Sequence, residues 1–200
     1  MEFKAKTFTI PELKGISAKT VEEHLKLYAG YVKHANLIMK EVARDAATPE
    51  ETYTMAETFR RFGFEFGGIR NHEIYFGSLE GGPVAPNTDS AFAKHLAAQC
   101  GAFETWLSGF KKVALMRGPG WAMLVYDPAS GMLLCSWVDE QHLGHLVSTT
   151  PILALDMWEH SYVADYQPSG KAQYVEDFFA NLNWKFVEDR FEAAKTCSGH

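Results

Sequence analysis

Asp156-Met157-Trp158-Glu159-His160 sets a carboxylate and an imidazole four residues apart, directly after the short apolar run Pro151 to Leu155. If the chain turns into a helix there, the two side chains converge on one point. His72 follows Asn71 on a stripe of ring-bearing residues, and His24 lies on the apolar stripe of an earlier helical segment. Three imidazoles and one carboxylate, without a thiolate, form a mixed N/O donor set suited to a divalent or trivalent first-row metal. Iron and manganese fit such a set, and zinc less distinctively. Each residue also has a plainer reading, because buried Asp–His pairs are common and a lone histidine on an apolar stripe is usually a hydrogen-bonded core residue. Residue types and spacing alone leave both readings open.

The elements that must bring these residues together are of two kinds. From Ser17, an N-cap candidate, apolar or ring positions recur at Val21, His24, Leu25, Tyr28, Val32 and Ala35, the 3-4 rhythm of one helix face. Tyr31 is seven residues from His24 and so projects from nearly the same side. A second helix is expected to start near Thr48-Pro49-Glu50-Glu51; it or a successor carries Phe66, Ile69, His72, Tyr75, Phe76 and Leu79. Gly67 and Gly68 interrupt that stripe, which predicts a break or a close approach by another element. Gly81 to Thr88 reads as the internal boundary, followed by one helix over roughly 89–112. Trp121 to Tyr126 and Met132 to Val138 then flank a hairpin-type turn, Pro151 to Leu155 is a third strand, and a helix spans Lys171 to Ala194. The expectation is an α+β protein. A helical N-terminal domain (1–82, an antiparallel helix hairpin) precedes a C-terminal α/β domain (89–200) with a three-stranded antiparallel sheet, and the candidate site lies between them.

Composition narrows the function classes. Of 200 residues 46% are hydrophobic and 22% charged, a globular balance. Nineteen basic against twenty-five acidic side chains give −6, which points away from nucleic acid and anionic membranes as partners. Apolar runs fall far short of a membrane span, and the first residues lack a signal core, so a cytoplasmic location is expected. Cys100, Cys135 and Cys197 show no metal or disulfide spacing and read as small hydrophobes, or as an exposed tail residue for Cys197.

Taken together, five segments in order resemble the iron/manganese superoxide dismutase family from about Ile16 to Ala194: Ile16 to His24 with Tyr31-Val32 and Asn36, Asn71 to Phe76, Gly120 to Val125, Asp156 to Tyr162, and Asn183-Trp184 to Arg190. The resemblance implies one iron or manganese ion per chain held by His24, His72, Asp156 and His160, with superoxide as substrate. It implies that Tyr31 relays protons at the substrate funnel and that Trp121 and Trp158 wall the site. Glu159 would reach across a homodimer to the neighbouring copy of His160; a tetramer is the other assembly in the family's range. The iron-type position for the glutamine that tunes the bound solvent is Gly68 here, while Gln141 in Asp139-Glu140-Gln141-His142 matches the manganese-type position. The role therefore goes to Gln141, with His142 and His145 as alternatives, and the metal leans to manganese. Departures from the family pattern are a first motif one residue shorter between His24 and Tyr31, Arg70 before Asn71, Phe76 and Met123 at usual tryptophan positions, and Val163 where a tyrosine is usual. They leave room for a member with weak or altered activity, a metal store or peroxidase, or for a non-catalytic interaction subunit.

Overall fold

The computed structural model describes residues 2–45, 47 and 52–197. Helix α1 (Ala18–Asp45) starts where expected: the Ser17 hydroxyl accepts from the Thr20 N–H at 3.2 Å. Its buried residues Thr20, His24, Tyr28, Val32 and Ala35 form one stripe, laid against helix α2 (Tyr53–Leu79). The cap of α2 is Thr52, whose hydroxyl accepts from Met55 N at 3.1 Å; the start expected at Thr48 to Glu51 lies outside the described residues. Gly67 and Gly68 do not break α2. They sit in its buried stretch, where neighbouring groups come closer than any Cβ would allow.

The single long helix expected over 89–112 is two, α3 (Ala91–Cys100) and α4 (Phe103–Ala114). Gly101, at φ +86°, ends the first in a conformation that favours glycine. The sheet is antiparallel in the order β2-β1-β3, with β1 (Gly120–Asp127) paired to β2 (Met132–Asp139) and to β3 (Thr150–Asp156). The central strand is buried along seven of its eight residues, which makes it the floor of the core. Cys135 is exposed on β2, so the expectation of a buried small hydrophobe fails there.

After β3 the chain makes a 3-10 turn over Glu159–Ser161 and a short helix α5 (Val163–Tyr166). The tail helix is likewise two, α6 (Lys171–Asn181) and α7 (Trp184–Cys197). The 81–88 linker causes this split: Val84 N donates to Leu182 O and Trp184 N to Val84 O, each at 3.2 Å, which pulls Leu182-Asn183 out of helical geometry. Among the described residues no helix is long and apolar enough to cross a membrane.

Candidate metal centre

Four donors from four separate elements meet at one point. His24 comes from the buried stripe of α1, His72 from the buried half of α2, Asp156 from the last residue of β3, and His160 from the 3-10 turn that follows. One ligand atom from each lies within 4.8 Å of every other. Asp156 Oδ2 is the hub: it is 3.0 Å from His24 Nε2, 3.2 Å from His160 Nε2 and 3.5 Å from His72 Nε2. His24, His72 and Asp156 are buried, while the His160 side chain keeps 23% of its surface.

Hydrogen bonds from outside the cluster aim two of the donors, His72 and Asp156. His72 Nδ1 lies 2.6 Å from Gly68 O, so Nδ1 carries the proton and the Nε2 lone pair faces the hub. That Nε2 is buried with no hydrogen-bond partner. Asp156 Oδ1 accepts from Trp158 N at 2.8 Å, leaving Oδ2 to the histidines, and its main-chain carbonyl accepts from the hydroxyls of Ser161 and Tyr174 at 3.0 and 2.9 Å. The Tyr174 hydroxyl is in turn 3.1 Å from that of Tyr75.

These features fit a metal ion. An orphaned imidazole nitrogen at the centre of a protein costs free energy unless something accepts its lone pair. Donors about 2.0–2.2 Å from a shared ion stand about 3 to 3.6 Å apart for ligand angles between a right angle and the trigonal value. The three N···O separations of 3.0, 3.2 and 3.5 Å fall in that interval. Charge states agree. Burial drives His72 down to about 3 and also lowers His24, so both rings stay neutral, the form that binds metal. Burial alone would raise Asp156, but His160 and His24 outweigh it and hold the carboxyl far below the usual range.

A second layer joins this cluster. Trp121 stands edge-on to His72, with ring centroids 5.0 Å apart, and its indole N–H donates to Gln141 Oε1 at 2.9 Å. That bond turns the Gln141 amide so that Nε2 donates to the Tyr31 hydroxyl, also at 2.9 Å. Burial raises the Tyr31 pKa above its ordinary value; the negative charges of Asp156 and Glu65 add to this and Arg61 opposes it. Gln141, fully buried, is thus brought to the cluster's edge, and the two alternatives are not: the His142 ring packs on Phe64, and His145 Nε2 lies 3.4 Å from the Gln141 main-chain oxygen. The Trp158 ring stacks on His160 at 5.9 Å and is pinned by its N–H to Glu140 O at 3.0 Å. Glu159 is exposed and makes no ion pair among the described residues.

Sequence reasoning did not reach some positioning groups. The Asn71 amide donates to Gln141 O at 3.1 Å, and Gly67 presses on the same carbonyl. The glycine pair was the one visible trace of this approach, since a Cβ at Gly68 would lie 2.5 Å from the Tyr31 ring. Arg70, a departure from the family pattern, points away from the cluster and pairs with Glu73 at 2.9 Å. Phe76, another departure, packs on His24 with centroids 4.9 Å apart.

A helix hairpin set against a three-stranded antiparallel sheet, with a three-histidine, one-aspartate cluster at the end of β3, defines a mononuclear metalloprotein. The model of the iron/manganese superoxide dismutase C-terminal domain matches residues 88–190. A superoxide dismutase named for iron from Cupriavidus metallidurans is 34% identical over 187 residues, covering 92% of each chain. A second, from Aquifex pyrophilus, is 32% identical over 189 residues, covering 91% of this chain and 87% of its own. One named for manganese, from Corynebacterium diphtheriae, is 37% identical over 132 residues, 66% of this chain and 65% of its own. The chain belongs to the iron/manganese superoxide dismutase family.

Proposed function

We propose that this protein is a superoxide dismutase that holds one iron or manganese ion on His24, His72, Asp156 and His160. The convergence of three histidine Nε2 atoms on Asp156 Oδ2, one of them orphaned, carries the reading. Bound there, the ion supplies the one-electron couple that takes one superoxide to O₂ and a second, with two protons, to hydrogen peroxide. Three neutral imidazoles and one carboxylate leave residual positive charge at the centre, which draws in a small anion.

The chain's own part is to hold and deliver protons. Tyr31 stays protonated because burial disfavours the phenolate, and its oxygen is occupied as an acceptor by Gln141. Its O–H is therefore directed elsewhere, as a proton source at the mouth of the site. Gln141 has a second amide proton that would be available to solvent at a bound ion, and Trp121 fixes which end of the amide faces inward. Gln141 at this place, with Gly68 lacking a side chain, supports manganese as the working metal. The exposed Glu159, next to the partly exposed His160, supports a homodimer bridged by that pair across a two-fold axis.

Purified protein loaded in turn with iron and with manganese is assayed for superoxide scavenging, with metal measured by mass spectrometry. We expect about one ion per chain and activity with at least one metal, higher with manganese. Full metal content with no scavenging by either form would refute the dismutase reading.

A further inference from the structure

A cavity of about 770 Å³ lies apart from the metal cluster, between α2, α7, the N-terminal segment, the loop carrying His142 and His145, and the start of β3 at Pro151. Its size is in the range of small-molecule sites. Phe8, Phe66, Ile74 and Phe186 give it apolar walls. Its charges do not balance: Lys6, Arg70 and Arg190 face Glu73 and Glu80, three cations to two carboxylates on a chain whose net charge is −6.

The pairing within that set is uneven. Glu73, with only 8% of its side chain exposed, takes both Lys6 at 3.1 Å and Arg70 at 2.9 Å. Glu80 accepts from Thr9 N at 3.0 Å. Arg190 has no carboxylate within salt-bridge distance among the described residues. It donates one Nη2 hydrogen bond to Pro151 O at 2.6 Å and lies 5.6 Å over the Phe186 ring, while its Nε is buried without an acceptor. Burial lowers its pKa, and a guanidinium stays charged in proteins. A half-buried guanidinium with no carboxylate partner is costly unless an anion completes it.

We propose that this cavity binds a small organic anion, its carboxylate on Arg190 and its apolar body against Phe186, Phe66 and Ile74. A guanidinium backed by an aromatic ring suits a planar carboxylate, which it meets with directed, charge-assisted hydrogen bonds. The apolar walls favour a ligand with a ring or chain over a bare inorganic ion. This reading is independent of the redox chemistry, because none of the four metal donors lines the cavity.

The probes are 2-naphthoate and its neutral isostere naphthalene-2-carboxamide, titrated calorimetrically into the metal-loaded protein. We expect the carboxylate to bind at least about tenfold more tightly than the amide. That preference should vanish in Arg190→Gln and persist in Arg190→Lys, which keeps a charge and a donor for Pro151 O. Ile74→Phe, which fills the cavity without touching charge, should abolish binding of both probes even if Arg190→Gln proves unfoldable. No binding, equal affinity for the two probes in the parent, an undiminished preference in Arg190→Gln, or undiminished binding in Ile74→Phe would each overturn the proposal; the last two would place the carboxylate elsewhere, the metal included.

Discussion

Two histidine sets occupy this molecule and share little beyond residue type. His24, His72 and His160 come from three elements, and each presents Nε2 to one carboxylate oxygen. His142 and His145 are three residues apart on one loop, in a spacing that suggests ligands, yet they face Phe64 and the Gln141 main chain. A loop brings two imidazoles near each other without directing their lone pairs. At His72 the aiming is visible: Gly68 O holds Nδ1, so Nε2 faces the Asp156 carboxylate. Orientation separates the two sets, and sequence spacing does not report it.

The strongest way to break this contrast is to remove an aimed donor. His72→Ala should lose tightly bound metal and bring superoxide scavenging to background, measured by mass spectrometry and assay, while His142→Ala keeps its metal. If both variants keep metal equally, the distinction is wrong.

The next effect is on stability in acid. His72 titrates near 3 in the fold against an ordinary value of about 6.5, so the unfolded chain binds more protons between those limits. Its depressed pKa gives stability that is complete above about pH 6.5 and lost as pH falls toward 3. Carried through, this is on the order of 5 kcal/mol. Thermal unfolding of metal-free protein should show a midpoint that falls steadily from pH 7 to pH 4, with a shallower fall in His72→Gln. A midpoint independent of pH over this window would show that burial does not hold the ring neutral.

Smaller effects test the layer behind the donors. Gln141→Leu should keep the metal and cut dismutation about 10- to 100-fold, the usual size for a group that tunes a metal site indirectly. Trp121→Phe removes the N–H that turns the Gln141 amide, along with part of a buried ring, but keeps the amide itself, and its loss of activity should be smaller at equal metal content. His142→Ala should cost least of all in kcat. An order in which His142→Ala exceeds Gln141→Leu would move the solvent-tuning role along the loop.

Much of this arrangement was readable in the chain, for reasons that differ by residue. The four donors sit in short runs whose neighbours are themselves constrained, such as the strand end before Asp156, and the hairpin is marked by Asp127 to Gly131. Gln141 was harder to place, being one glutamine in a run without a helical or strand rhythm; its position rests on Trp121, Asn71 and Gly67, all distant in sequence. Helix breaks were missed for the same kind of reason. Nothing local to Leu182-Asn183 forbids a helix, and the bond to Val84 that opens it comes from about a hundred residues away. At Gly67-Gly68 the sequence left two readings, a break or a close approach, and the structure takes the second: partners crowd the glycines and the buried helix continues.

Gly68 also constrains how this protein can diverge. Family resemblance puts the iron-type glutamine at this position and the manganese-type one at Gln141. A Cβ at position 68 would meet the Tyr31 ring at 2.5 Å, and Tyr31 is itself tied through its hydroxyl to Gln141. An evolutionary intermediate carrying both glutamines collides with the tyrosine, and one carrying neither lacks the amide. A glutamine at position 68 therefore requires the Tyr31 ring to shift, and with it the hydroxyl that Gln141 holds. While this ring stays where it is, the room available favours a glutamine on the loop over one at position 68.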